Sequence, residues 1–218
     1  MNKKKQRVVV VDDHPMFRER LSQLINFELD MEVCGEAEDA QEGIRLLRET
    51  SPDLAIVDIT LKGSSGLELV KSIKALSMAT PVLVLSMHDE SLYAERALQA
   101  GASGYITKNQ ATEEVLSAIR RVLAGEIYLS EKMTALFLKS LSAGGARSFV
   151  RPLDRLTDRE LQVLEFIGRG YTTRAIAEAL KLGVATVDTY RARVKEKMDF
   201  RNAVELQHFA IRWVRDRE

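Results

Sequence analysis

The run Val8-Val9-Val10-Val11-Asp12-Asp13 sets the fold. Four valines in succession read as a strand covered on both faces, and two carboxylates stand directly at its end. Similar runs recur as Leu54-Ala55-Ile56-Val57-Asp58, Val82-Leu83-Val84-Leu85-Ser86 and Gly104-Tyr105-Ile106-Thr107-Lys108. Each is short, apolar and closed by a polar residue. With a further run at 31–36, strands are expected over 7–11, 31–36, 54–58, 81–86 and 103–107. Between and after them, helical periodicity covers 15–27, 40–49, 65–77, about 90–100 and about 112–124. Gly101 and Gly125 stand just past the last two helices, where a left-handed C-terminal cap favours glycine. Five strands alternating with five helices predict an α/β fold with a parallel, doubly wound sheet.

After Gly125 the strand pattern stops. A helix is expected over 130–142, and the small residues Ala143-Gly144-Gly145-Ala146-Arg147-Ser148 read as a flexible linker. Four helices are expected over 157–168, 172–181, 184–198 and 202–216. The first opens with Thr157 and Glu160 spaced as a capping box, and the fourth with Asn202 and Glu205 in a similar arrangement. The organisation is therefore 1–125, an α/β domain; 126–152, a linker helix and flexible linker; and 153–218, a second, all-α domain.

Composition removes several function classes. The chain has 218 residues, 45% hydrophobic and 29% charged, which is globular in character. A single Cys34 forbids an internal disulfide framework and a cysteine-based zinc cluster. Cys34 itself reads as a small buried residue. No apolar run approaches the roughly 20 residues of a spanning helix. The basic start followed by four valines is too short for a signal-peptide core, so a cytoplasmic, non-membrane protein is expected. The 32 basic and 32 acidic side chains cancel and exclude a uniformly basic nucleic-acid binder. The zero is a sum of unlike parts: net −4 over 1–125, +2 over 126–152 and +2 over 153–218.

The carboxyl ends of parallel strands form the ligand crevice of an open sheet, at the point where strand order reverses. For the order 2-1-3-4-5, Asp12, Asp13 and Asp58 would crowd one such crevice. Like charges that close call for a cation, and Mg²⁺ is the hard, oxygen-seeking ion that suits three carboxylates. Ser86 and Lys108 would reach the same rim. Taken singly, Asp13 could be a helix cap and Asp58 a turn residue. Five such residues at the ends of four strands are not explained that way.

These motifs together resemble a response-regulator receiver domain, of flavodoxin-like fold, over about residues 5–125. The resemblance implies that Asp58 is the phosphoacceptor. It implies that Asp12, Asp13, Asp58 and the backbone carbonyl of Thr60 hold Mg²⁺. Lys108 would pair with the phosphoryl group, Ser86 would hydrogen-bond it, and Tyr105 would be an aromatic switch turning inward as Ser86 moves. The family usually has Pro four residues after the phosphoacceptor, and here it is Lys62. Thr60 and His88 would flank the site, with His88 expected to be a solvent-exposed loop residue rather than a base for water.

The C-terminal pattern Leu156-Thr157-Asp158-Arg159-Glu160-Leu161-Gln162-Val163-Leu164, with Ile176-Ala177-Glu178-Ala179-Leu180, Thr186-Val187 and Lys197-Met198, resembles the LuxR-type four-helix DNA-binding domain. The whole then resembles a NarL/FixJ-type response regulator, with 184–198 as recognition helix. Helical projection puts Val187, Tyr190, Val194 and Met198 on an inward stripe. Asp188, Thr189, Ala192 and Arg193 become base-edge candidates, with Lys195 beside them. Arg191, Lys197 and Arg201 are assigned to phosphates. The family usually has Lys at Asp188 and Ser as the recognition-helix cap, where Gly183 stands here. Thr172 can cap the preceding helix.

The function implied is a two-component response regulator. A sensor histidine kinase would phosphorylate Asp58, favouring a homodimer that reads inverted-repeat half-sites in double-stranded DNA, with RNA polymerase a further candidate partner. The chain would assist its own phosphorylation and dephosphorylation without being an enzyme on another substrate. An alternative is a phosphorylation-controlled regulator whose helical domain binds a protein rather than DNA, motivated by Asp188 and the small net charge. A haloacid-dehalogenase-like phosphatase would need a second Asp where Thr60 stands.

Overall fold

The computed structural model describes residues 4–142 and 152–216. They form two compact units, divided between Ala143 and Gly144. In the first unit the strands are β1 (Gln6–Val11), β2 (Met31–Ala37), β3 (Leu54–Asp58), the two-residue β4 (Thr60–Leu61) and β5 (Ser64–Ser65), β6 (Val82–Ser86) and β7 (Gly104–Thr107). The helices are α1 (Pro15–Phe27), α2 (Ala40–Thr50), α3 (Gly66–Ala75), α4 (Glu90–Ala100), α5 (Ala111–Leu123) and α6 (Glu131–Ser142). The main sheet is parallel in the order β2-β1-β3-β6-β7, the doubly wound topology expected.

Alternation along the strands builds two cores. Val8, Val10, Leu54, Ile56, Leu83, Leu85 and Ile106 meet Leu21 and Ile25 of α1 and Val115, Ala118, Ile119 and Val122 of α5. The alternate residues, among them Val9, Val11, Val57, Val84 and Tyr105, serve the layer of α2, α3 and α4, where Leu47, Leu69, Val70, Ile73, Tyr93 and Ala97 are buried. Burial on both faces explains the unbroken apolar runs.

Three features depart from expectation. β4 and β5 form a hairpin inside what reads as a loop, too short to show periodicity. Cys34 is half-buried rather than buried: Val33 and Gly35 pair with Val8 and Val9, so Cys34 is the extra residue of a bulge. Residues 126–142 belong to the first unit instead of a linker. Tyr128 bridges to Gly104; its amide donates to the Ser103 carbonyl, and its carbonyl accepts from the Tyr105 amide. The Ser130 amide donates to Glu90 at 2.9 Å, and Met133 is buried where α6 meets α4. Residues 143–148, expected to be flexible, lie outside the described residues.

The second unit holds a short 3-10 turn (Pro152–Arg155) and helices α7 (Asp158–Gly168), α8 (Thr173–Ala179), α9 (Val184–Lys197) and α10 (Ala203–Arg215). Its core joins Leu161, Leu164, Ile167, Ile176, Val187, Val194, Leu206 and Ala210. The capping box is present: Thr157 Oγ1 accepts from the Glu160 amide, and Glu160 Oε2 accepts from the Thr157 amide at 2.8 Å. Thr172 caps α8. Gly183 caps α9 with no side-chain bond, a loss of only a few tenths of a kcal/mol relative to serine.

Candidate functional site

The register of β1 on β3 pairs Val11 with Val57, which brings their polar ends together. Asp12, Asp13 and Asp58 are all at least nine-tenths buried there. One ligand atom from each, with one from His14, lies within 4.8 Å of the others. Lys108 enters from the end of β7, its amide held by the Ser86 carbonyl of β6. Its Nζ lies 2.7 Å from Asp58 Oδ2 and 2.6 Å from Asp12 Oδ2, and 4.5 Å from the centre of the Phe17 ring. The imidazole Nδ1 of His14 is 2.8 Å from Asp13 Oδ1, and the His14 amide donates to Asp12 Oδ1 at 2.8 Å.

Burial pushes the Asp58 carboxyl up to about 6, with the Asp12 charge adding to it and the Lys108 ammonium and Thr60 amide pulling the other way. Burial alone would lower Lys108, but the Asp58 and Asp12 carboxylates outweigh it and hold the ammonium above the usual lysine value. A clustered excess of hard oxygen donors around one ammonium suits a divalent cation such as Mg²⁺.

Gly66 makes the approach of α3 possible. A Cβ there would stand 1.8 Å from the Asp58 carbonyl oxygen, so no larger residue fits without moving the strand end. The Thr60 amide donates to Asp58 Oδ1 at 3.3 Å.

Ser86 is buried at the end of β6, and its Oγ accepts from the His88 amide at 3.1 Å. Tyr105 is fully buried, its ring already inward, and its hydroxyl donates to the His88 carbonyl at 2.9 Å. His88 corrects an expectation. It is buried rather than a solvent-exposed loop residue, with Nε2 3.1 Å from Thr60 Oγ1 and its ring 4.7 Å from that of Tyr93. Asp89 follows it directly and caps α4.

In the second unit α8 and α9 form the helix-turn-helix. Val187 and Val194 are fully buried, Tyr190 and Met198 half-buried, so the projected stripe faces the core. Asp188, Thr189, Ala192, Arg193 and Arg201 are exposed, and Arg191 and Lys195 half-buried. The Thr189 hydroxyl donates back to the Ala185 carbonyl at 2.9 Å. The Lys197 ammonium lies 2.6 Å from the buried Glu160 and braces α9 on α7, while its side chain stays one-third exposed. Burial would raise Glu160, but the Lys197 ammonium and the Thr157 amide hold its carboxyl below the usual range.

His14, Phe17 and Gly66 were not singled out from sequence. His14 follows the aspartate pair directly, which is a usable signal. Phe17 and Gly66 act through contacts that only the fold creates.

Residues 8–120 match the model of the response regulator receiver domain, and residues 154–210 that of the luxR family of bacterial regulatory proteins. The oxygen regulatory protein NreC of Staphylococcus carnosus is 33% identical, with 94% of this chain and 97% of NreC covered. The nitrate/nitrite response regulator protein NarL of Escherichia coli K12 is also 33% identical, with 94% of each covered. A crystal structure of a LuxR-family two-component response regulator from Aurantimonas is 37% identical, with a TM-score of 0.59 over 64% of this chain and 99% of that one. Both family models match within one chain, and relatives 33% identical cover 94% of it, so the protein belongs to the two-component response regulators that carry a LuxR-type DNA-binding domain.

Proposed function

We propose that Asp58 accepts a phosphoryl group and that this controls dimerisation and sequence-specific DNA binding to regulate transcription. The observation that carries the reading is the buried group of Asp12, Asp13 and Asp58, with Lys108 at 2.7 Å from Asp58. A sensor histidine kinase is the partner that a receiver requires, and the cytoplasm is the compartment where the two meet. No described helix is long and apolar enough to cross a membrane.

Asp12, Asp13, Asp58 and the Thr60 backbone carbonyl would hold Mg²⁺. When bound, that ion supplies positive charge against the phosphoryl oxygens. Asp58 attacks phosphorus through a carboxylate oxygen and forms an acyl phosphate as the donor's bond breaks. Lys108 then exchanges its Asp58 contact for a phosphoryl oxygen, and the Ser86 hydroxyl turns to donate to another. The His88 amide, now bonded to Ser86, and the Tyr105 hydroxyl, bonded to the His88 carbonyl, link that rotation to the face around α4. Loss of the phosphoryl group to water is assisted by the same residues, so the chain acts on itself rather than as an enzyme on a separate substrate.

In the helical unit α9 enters the major groove. Asp188, Thr189, Ala192 and Arg193 face base edges; Arg191, Lys197 and Arg201 meet phosphates, with Lys195 beside them. Two such units about a two-fold axis read an inverted repeat. RNA polymerase is the further partner at a promoter.

The test is incubation of the full chain with a labelled acyl phosphate. Mg²⁺-dependent, acid-stable and base-labile labelling of one site is expected, absent in Asp58→Asn. Label persisting in that variant overturns the assignment. Duplex binding by the wild-type chain at no more than background, both with and without the phosphoryl label, overturns the DNA reading in favour of a protein partner.

A further inference from the structure

We propose that Lys62 is a steering cation for the phosphodonor, held in reserve by Glu38 across the mouth of the Asp58 site. The inference rests on the phosphoacceptor role of Asp58. Lys62 Nζ lies 3.0 Å from Glu38 Oε1. Glu38 directly follows β2, while Lys62 sits at the tip of the β4–β5 hairpin just after β3. The sheet order places β1 between β2 and β3. The ion pair therefore joins the two loops that flank the end of β1, where Asp12 and Asp13 stand. Two strand spacings are about 10 Å, a gap that one lysine and one glutamate side chain close together.

Both backbones are anchored and both side-chain tips are exposed. The Glu38 amide donates to Glu42 Oε2 at 3.3 Å, and the next residue, Asp39, caps α2. The hairpin is closed by pairing of Thr60 with Ser65, and its turn uses Gly63 at φ 72°. The side chains of Lys62 and Glu38 are 59% and 50% exposed. Beyond Glu38, the Asp39 and Asp13 carboxylates also help to keep the Lys62 ammonium above the usual lysine range, which agrees with a place over the acidic crevice. An ion pair so exposed contributes little to stability. Releasing it costs correspondingly little, so Lys62 can exchange Glu38 for the oxygens of an incoming phosphoryl group. A rigid proline at this position would offer no such charge. The bonds made and broken at phosphorus are unchanged; Lys62 positions the anionic donor against a crevice whose carboxylates repel it.

Electrostatic steering predicts opposite signs for the two partners. The experiment uses the full chain, saturating Mg²⁺ and acetyl phosphate as the anionic donor. Lys62→Ala leaves Glu38 uncompensated and should slow Asp58 labelling about two- to fivefold at low ionic strength. Glu38→Gln frees Lys62 and should accelerate it about twofold. Both differences should collapse at about 0.5 M salt, and Lys62→Arg should keep the wild-type rate. Mn²⁺ binding to the unlabelled chain, read by electron paramagnetic resonance, should move the other way: tighter in Lys62→Ala and weaker in Glu38→Gln. Labelling rates that change in the same direction in both variants, or that stay at the wild-type value at low salt, overturn this inference alone. A wild type that takes no label overturns the receiver reading and the inference with it.

Discussion

The two functional faces, the crevice of the first unit and α9 of the second, handle charge in opposite ways. At the ends of β1 and β3, Asp12, Asp13 and Asp58 are buried side by side with one lysine among them. On α9, Asp188 and Arg193 stand in solvent, and the one basic side chain of that helix fixed at short range to a buried acid is Lys197 on Glu160, among the described residues. Buried like charges are a standing imbalance, which a cation or a phosphoryl group can redress. Exposed charges are nearly neutral in energy until a polyanion arrives. The first arrangement suits a switch, the second a reader.

The largest expected effect tests the imbalance. The folded pKa of Asp58, about 6, lies above its ordinary 3.8. The folded state therefore binds this proton more tightly than the unfolded chain, and the ionised group opposes folding. That opposition is absent near pH 4 and complete above pH 6. Asp58→Asn should stabilise the full chain at pH 7 in a chelator by about 1–3 kcal/mol, the gain closing as pH falls from 6 towards 4. Urea midpoints across that range measure it; an equal gain at pH 4 and pH 7 would break the contrast.

Next in size is the buried pair of the helical unit. Glu160 is held below the usual carboxylate range, so its contribution is present above that range and lost as pH falls through the lowered value. Glu160→Gln should cost about 2 kcal/mol at pH 7 and progressively less below about pH 4. Denaturant titration of the full chain monitored at Trp213 reads this, and a cost that does not vary with pH would refute the ionic account.

The smallest effect belongs to the reader face. Arg193→Ala should weaken specific duplex binding by about 1–2 kcal/mol, roughly tenfold. Lys197→Ala should flatten the salt slope of binding by about 0.9, as expected for a phosphate contact. An unchanged slope would leave its ammonium to Glu160 alone.

The topology of the sheet was legible because burial on both faces writes itself as unbroken apolar runs, and the strand ends carry the acids. Asp12, Asp13, Asp58, Ser86 and Lys108 were found by that logic, and the structure brings them to one rim. What was missed depends on contacts between elements distant in sequence. His88 reads as an exposed loop residue because nothing local reveals that Thr60 and Tyr93 will enclose it. Gly66 looks like an ordinary helix start until α3 is laid against Asp58. Lys197 sits among basic residues and reads as one more of them; only the approach of α7 to α9 supplies its acid. A two-residue hairpin and a bulge at Cys34 have no period to detect.

Tyr128 carries one more consequence. β7 is the last strand of the sheet, and an edge strand offers open amides and carbonyls to any passing chain. Tyr128 occupies the Ser103 carbonyl and the Tyr105 amide with its own backbone. It thereby withdraws part of that edge from pairing with a foreign strand. The residues that begin the path to the second unit thus also guard the first against aggregation, and a truncation ending at Gly125 would lose that guard along with the path.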